Sequence, residues 1–185
     1  MDPIVPLIVS IAFALLFASG ALEKLNNLSA FRMIVSEYQI VPPWTLAVIA
    51  VSLPLLELGI AGGWLLSLGG SQGTTLLMWS AAASAALLTL YAAGMAINLW
   101  RGRTHIDCGC SFAPSGGLST ALVVRNLALA VVALTVVIAP GDRPLSGLDY
   151  IVAAGATLLL VVFYLAGQQL LKNAMSLANW RRGSA

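Results

Sequence analysis

Apolar residues run along this chain in five long stretches, separated by short polar or glycine- and proline-rich segments. A helix that crosses the hydrocarbon core of a bilayer, about 30 Å thick, needs roughly 20 mainly apolar residues. The stretches that qualify are about 4–22, 44–67, 74–98, 119–139 and 149–171. Links at 69–73 and 140–144 hold glycine or proline, and proline cannot continue a helix. The pattern predicts an all-α, polytopic transmembrane bundle of about five spans, as a single membrane domain over 1–185.

The first apolar stretch ends in Ser19-Gly20-Ala21, small residues of the kind found at signal-peptide cleavage sites. A secretory signal also needs a Lys/Arg-rich segment before its apolar run. None precedes this stretch, so residues 4–22 are predicted to be a retained first span.

The segment 26–43 differs from the apolar stretches because its apolar residues recur only at helical spacing. They are Phe31, Ile34, Val35 and Tyr38. Pro42 and Pro43 end the pattern. It predicts a short amphipathic helix, about 29–40, lying in the membrane interface. The alternative is an ordinary loop helix with no role of its own.

Composition agrees with a lipid environment. The chain is 59% hydrophobic and 9% charged, whereas soluble domains carry about 25% charged residues. A soluble protein of this length could not bury so much apolar surface. No basic cluster with interleaved aromatic residues is present, which excludes nucleic acid as a predicted partner.

Alternating spans place 23–43, 99–118 and the C-terminal tail on one side of the membrane, which we call face B. The opposite side, face A, carries Arg143 as its sole Lys or Arg. The cations of face B are Lys24, Arg32, Arg101, Arg103, Lys172, Arg181 and Arg182. The positive-inside rule therefore predicts that face B is cytoplasmic.

The chain has two cysteines, Cys108 and Cys110, one residue apart in the loop 99–118. A disulfide across so short a ring is expected to be strained, and strained, exposed disulfides are the exchangeable ones. Gly109 supplies the backbone freedom that such a ring would need. The pair predicts thiol–disulfide exchange, with Cys108 and Cys110 as the reacting residues.

Three neighbouring residues in the same loop bear on this chemistry: Arg101, Arg103 and His105. Cations near a thiol lower its pKa and favour the reactive thiolate. Two structural alternatives remain, free thiols without a role and a passive local disulfide. His105 and the two cysteines could also bind a soft metal ion. Three ligands leave a tetrahedral site incomplete, so no metal site is predicted.

Polar residues also occur inside the predicted spans, where ionisable groups are costly and face the bundle interior. They are Glu57 in span two, Arg125 and Asn126 in span four, Glu23 and Lys24 at the end of span one, and Asn98 at the end of span three. We expect them to form one polar chamber beneath the cysteine loop. A direct Glu57–Arg125 pair requires Arg125 to extend inward. The alternative is an ion pair that only fixes helix register.

Several of these motifs occur in an order that resembles the MauE family of DoxX-like membrane proteins. They are Ser19-Gly20-Ala21-Leu22-Glu23-Lys24-Leu25, Leu56-Glu57-Leu58-Gly59, Cys108-Gly109-Cys110 and Val124-Arg125-Asn126. The likeness covers about residues 10–130. It implies a four-helix DoxX-like core with a C-terminal fifth helix, in the plasma (inner) membrane.

The resemblance also implies a role in redox maturation. MauE acts beside the thioredoxin-like MauD in maturing the disulfide-rich small subunit of methylamine dehydrogenase, and more distant relatives are linked to thiol chemistry with quinones. A thioredoxin-like protein and a disulfide-bearing client are thus the expected partners. The polar chamber would either stabilise the thiolate or bind a quinone headgroup as electron acceptor, so a quinone is a possible cofactor. The implied site residues are Cys108, Cys110, Glu23, Lys24, Glu57, Arg125 and Asn126. Disulfide chemistry outside the cytoplasm would put face B outside, opposite to the charge count.

Overall fold

The structure is a computed structural model that describes residues 2–69, 73–104, 106, 117–138 and 145–183. Within those residues the regular structure is helical and contains no strand, which confirms the predicted all-α class. The helices are α1 (Ile4–Asn26), α2 (Leu28–Tyr38), α3 (Leu46–Leu66), α4 (Gly73–Trp100), α5 (Thr120–Thr135) and α6 (Gly147–Gly183). A 3-10 turn at Pro43–Thr45 leads directly into α3.

Four of the helical segments are long and apolar enough to cross a membrane. They are Ile4–Asn26, Pro43–Leu66, Gly73–Trp100 and Gly147–Leu170. The fourth predicted span is shorter than expected, because α5 has 16 residues and so rises about 24 Å. Conversely, α6 has 37 residues and extends beyond the predicted 149–171. The chain is a multi-pass helical membrane protein.

The helices form a four-helix bundle to which α6 is added. α1 packs against α3, α3 against α4, and α4 against α5, while α5 also contacts α1. At its centre Trp64 is fully buried, with its ring centroid 5.4 Å from that of Phe13. The Trp64 Nε1 donates a 2.8 Å hydrogen bond to Ser84 Oγ. α6 packs against α1 and leaves most of its apolar side chains exposed, as expected of a lipid-facing helix.

The contact between α3 and α4 depends on small residues. A Cβ added to Gly63 would lie 2.5 Å from Ser80 Oγ, too close for any two such atoms. Ala81 and Ala85 on α4 are buried as well. Because lipid is as apolar as the helices, close packing of this kind holds membrane helices together.

The short helix after span one is confirmed as α2. Its N-cap is Asn27, whose side chain accepts a hydrogen bond from Ala30 N at 3.3 Å. It ends at Gln39, which adopts the left-handed conformation with φ 48°. Phe31 is its buried residue, and α2 packs against α3. Its position in the membrane interface stays a prediction.

The described residues of the loop 99–118 hold its two ends together. Leu118 N donates to Thr104 O at 2.8 Å. Ile106, 1% exposed, packs in a small apolar cluster with Met95, Leu118 and Leu122. His105, Cys108 and Cys110 lie outside the described residues, so their predicted roles stay predictions.

Candidate functional site

A buried ion pair joins α1 to α3 inside the bundle. Lys24 Nζ lies 2.7 Å from both carboxylate oxygens of Glu57. The two side chains are only 5% and 3% exposed. Removing two charges from solvent is costly unless geometry is good and the remaining hydrogen-bonding capacity is used. The two-oxygen contact meets the first condition.

Aromatic side chains from two further helices complete the environment of the pair. Tyr91 on α4 donates its hydroxyl to Glu57 Oε1 at 2.7 Å. Lys24 Nζ lies 5.6 Å from the ring centroids of both Phe31 and Tyr91, within the range of a cation–π interaction. Phe31 belongs to α2, so this helix covers the ion pair from its own side. The ion pair itself joins α1 to α3, and its further partners belong to α2 and α4.

Arg125 on α5 makes a separate set of contacts. Its NH1 donates to Gln168 Oε1 at 2.9 Å, and its NH2 donates to Asn126 Oδ1 at 3.5 Å. Its guanidinium carbon lies 5.9 Å from the Tyr164 ring centroid. The structure therefore does not pair Arg125 with Glu57: the cation on that carboxylate is Lys24, and Arg125 turns toward α6.

The Lys24–Glu57 pair and Arg125 line one cavity of about 30 Å³, as the predicted polar chamber requires. Of the polar residues expected there, Lys24, Glu57, Arg125 and Asn126 are present. Glu23 and Asn98 are not among its lining residues, and Asn98 instead donates to Gly94 O at 3.1 Å. The lining residues are Leu16, Phe17, Gly20, Lys24, Glu57, Leu88, Tyr91, Arg125, Asn126 and Tyr164.

The depth of this site follows from the exposed tryptophans at the same end of the bundle. Trp44 and Trp100 are 81% and 92% exposed, as in the aromatic belts at membrane interfaces. Tyr91 precedes Trp100 by nine residues, which is about 14 Å along α4. The Glu57 carboxylate, bonded to Tyr91, therefore lies deep in the bundle relative to these tryptophans.

A quinone ring does not fit this cavity as formed. A cavity of about 150 Å³ accommodates benzene, whereas a single water needs roughly 10–15 Å³. The 30 Å³ here suits one or two water-sized groups. This cavity as formed therefore does not hold a quinone headgroup, and the possible quinone acceptor implied by the resemblance stays a prediction.

The two arginines of the cysteine loop lie at the face B end. Arg101 is exposed and its NH1 donates to Gln39 O at 3.3 Å. The backbone N of Arg103 donates to Asn98 O at 2.9 Å, and its side chain is half-buried. Both follow α4 directly, so they flank the segment that carries the cysteines without entering the cavity.

Tyr91, Tyr164 and Gln168 are site residues that sequence reasoning missed. Tyr91 precedes the buried Asn98 by seven residues, two helical turns on the same face. Tyr164 and Gln168 are four apart, which places two polar groups on one face of an otherwise apolar span. This spacing could have predicted that one face of the fifth span turns toward the polar site.

Together, the helical spans and the central ion pair define a multi-pass membrane protein with a polar site inside its bundle. The family model described as "Methylamine utilisation protein MauE" matches residues 2–139. The chain belongs to the MauE family.

Relatives of known name agree with this membership. The chain is 37% identical over 168 residues to the methylamine utilization protein MauE of Paracoccus denitrificans, covering 87% of this chain and 85% of the relative. It is 34% identical to that of Methylophilus methylotrophus, over 89% of this chain and 85% of the relative. The Methylorubrum extorquens protein is 36% identical, over 86% and 85%. No solved structure matches the chain.

Proposed function

We propose that this chain is a thiol–disulfide redox protein of the plasma (inner) membrane that serves methylamine utilisation. The observation that carries the proposal is the pairing of its two cysteines, Cys108 and Cys110, one residue apart. Relatives of the same family bear the name methylamine utilization protein. A client such as the methylamine dehydrogenase small subunit, which the resemblance implies, would receive the disulfides.

The proposed step exchanges one disulfide with a thioredoxin-like partner. The thiolate of one cysteine attacks the partner's disulfide, forming a mixed disulfide and releasing one partner thiolate. The second cysteine, as thiolate, attacks the mixed disulfide, so that Cys108 and Cys110 become bonded and the partner becomes a dithiol. Two electrons pass to the partner, and the two protons lost by the cysteines balance those it gains. A client dithiol then attacks the Cys108–Cys110 disulfide in the same two steps, so that the client receives the disulfide and the two cysteines return to the dithiol.

The position of Ile106 supports a link between the cysteine loop and the buried polar site. Ile106 is buried against Met95, which is one helical turn, about 6 Å, from Tyr91 on α4. Cys108 follows Ile106 by two residues, and chain connectivity limits their Cα atoms to about 7 Å apart. Tyr91, which donates to Glu57, also packs against the cluster that holds Ile106, and Arg101 and Arg103 are the nearby cations in the sequence that would favour the thiolate.

Replacement of both cysteines by serine tests the proposal. In Cys108→Ser/Cys110→Ser, we expect maturation of the disulfide-bearing client to fail while the protein still reaches the membrane. The single variants are matched controls, because each keeps one sulfur. A retained attacking cysteine without its resolving partner should accumulate a mixed disulfide, visible as a reductant-sensitive band shift. Unchanged client maturation in the double variant would contradict the redox role.

A second candidate function is a non-catalytic scaffold that docks a redox partner or assembles a redox enzyme. The observation in its favour is the packing of α6, which lies mainly against α1 and leaves the rest of its apolar surface open to lipid or to a second membrane protein. Alkylation with and without reductant separates the two functions. A redox-dependent mass shift at the cysteines favours exchange, whereas thiols that stay reduced and react slowly favour the scaffold.

A further inference from the structure

The cavity beside the ion pair holds hydrogen-bond donors that the described protein residues leave unused. Asn126 is 2% exposed, and its Nδ2 has no partner among the described residues. Its Oδ1 accepts from Arg125 NH2. Because a guanidinium only donates, this contact fixes Oδ1 toward Arg125 and leaves Nδ2 as the free donor. The Nε of Arg125 is likewise buried without a partner in the described part of the chain.

The charges around the cavity do not cancel. Glu57 is matched by Lys24, at 2.7 Å from both oxygens. Arg125 contacts only neutral groups among the described residues, namely Gln168, Asn126 and the Tyr164 ring. Among the described residues around the cavity, one positive charge is therefore left over. Within a membrane such a charge is costly unless it is compensated.

We propose that this cavity binds one small inorganic anion of halide size between Arg125 and Asn126. Free donors require an acceptor, the uncompensated guanidinium requires negative charge, and a cavity of about 30 Å³ admits only a water-sized group. Water would satisfy the donors but would leave the charge uncompensated. Its proposed ligands, Arg125 and Asn126, take no part in the proposed disulfide exchange, so the site goes beyond the proposed redox function.

The test is thermal unfolding of the full chain in nanodiscs, with sodium chloride exchanged for sodium gluconate at constant ionic strength. A ligand of the native state raises Tm with its concentration. We expect each tenfold increase in chloride above its dissociation constant to raise Tm by about 3–5 °C. Equal Tm values in chloride and gluconate at every concentration would overturn the proposal in favour of water.

Two variants of Asn126 assign the effect to this cavity. Asn126→Leu removes the free donor, and Asn126→Asp supplies a carboxylate beside Arg125 in place of the anion. We expect both to lose the chloride dependence, and Asn126→Asp to be the more stable of the two in gluconate. The aspartate variant keeps the side-chain volume, so it remains informative should the leucine variant fail to fold.

Asn98→Leu is the matched control, because Asn98 is fully buried but does not line the cavity. It should keep the chloride dependence of the wild type, whatever its own stability. Cys108→Ser/Cys110→Ser should also keep it, which separates this site from the thiol chemistry. Retention of the full chloride effect by Asn126→Asp would contradict the assignment.

Discussion

At the scale of single residues, the buried charges of Lys24 and Glu57 each depend on the other for compensation. Each charge is nearly excluded from solvent, at 5% and 3% exposure, and each is tolerable only because the other is present. Tyr91 uses a further lone pair of the carboxylate. Removing one partner should therefore harm the bundle far more than removing both.

The single variants Lys24→Met and Glu57→Gln should test this dependence. Lys24→Met leaves a buried carboxylate without its cation, and we expect a loss of about 3–5 kcal/mol in the free energy of unfolding. Glu57→Gln leaves the ammonium unpaired, with a similar loss. The double variant should be markedly more stable than the sum of the single losses predicts. Unfolding in nanodiscs measures all three, and additive losses would show that the two side chains are not coupled.

Sequence reasoning selected most of these residues but not their pairing. Glu57 and Arg125 are conspicuous because charges inside apolar spans must face the interior. Which cation meets Glu57 depends on the rotation of α1 and α5 about their axes, and hydrophobic spacing does not fix rotation in helices that are apolar all round. Lys24 was placed at the end of span one, yet its side chain reaches inward beneath Phe31.

At the scale of helices, the close approach of α3 to α4 depends on Gly63, which has no side chain. Gly63 faces Ser80, and a Cβ there would lie 2.5 Å from the serine hydroxyl oxygen. Gly59, one turn earlier on α3, has nothing within 4 Å of the same added atom. The two glycines are therefore a matched pair, one at a contact and one facing outward.

We expect Gly63→Ala to be less stable than Gly59→Ala by about 1–3 kcal/mol, the usual cost of overpacking. Both variants gain the same helix propensity, so the difference reports the α3–α4 contact. Ser80→Ala added to Gly63→Ala should restore most of the loss, because the serine Cβ lies at an ordinary 3.7 Å. Thermal unfolding of the three variants and the wild type provides the measurement. Equal stability of the two glycine variants would mean that the helices shift apart without cost.

The short helix α2 covers the ion pair through Phe31, which is 6% exposed. We expect Phe31→Ala to cost about 3–5 kcal/mol of stability and to raise the reactivity of Lys24 toward an amine reagent. Lys172, the other lysine of the chain, is the internal reference in peptide mapping. Met33→Ala on the same helix is the control, because Met33 is 61% exposed. Unchanged Lys24 reactivity in Phe31→Ala would show that α2 does not shield the pair.

Helix boundaries show where sequence patterns are sufficient at this scale. The existence and order of the long helices follow from apolar length alone, and α2 follows from the helical spacing of its apolar residues. The end of α5 does not, because Val136, Val137 and Ile138 continue the apolar pattern although the helix stops at Thr135. Apolar character measures compatibility with lipid, whereas a helix end depends on local hydrogen bonds that hydropathy does not report.

At the scale of the whole molecule, the structure places the described residues of face B at one end of the bundle. Arg101 at the end of α4 bonds to Gln39 at the end of α2. Arg125, early in α5, bonds to Gln168, late in α6, so the C-terminal part of α6 points the same way. The pattern of alternating spans is thus consistent with the packing. The packing does not determine whether face B lies on the cytoplasmic side of the membrane.

Disulfide exchange with an exported client requires an oxidising compartment, so we expect face B to lie outside the cytoplasm. The opposing charge count is weakened by the structure, because Lys24 is paired with Glu57 inside the bundle. A membrane-impermeant maleimide should label Cys108 or Cys110 in intact cells after mild reduction, and Cys108→Ser/Cys110→Ser is the blank. Labelling only after permeabilisation would place the thiols in the cytoplasm, where thiols are kept reduced. That result would exclude oxidation of an exported client at these cysteines and favour the scaffold.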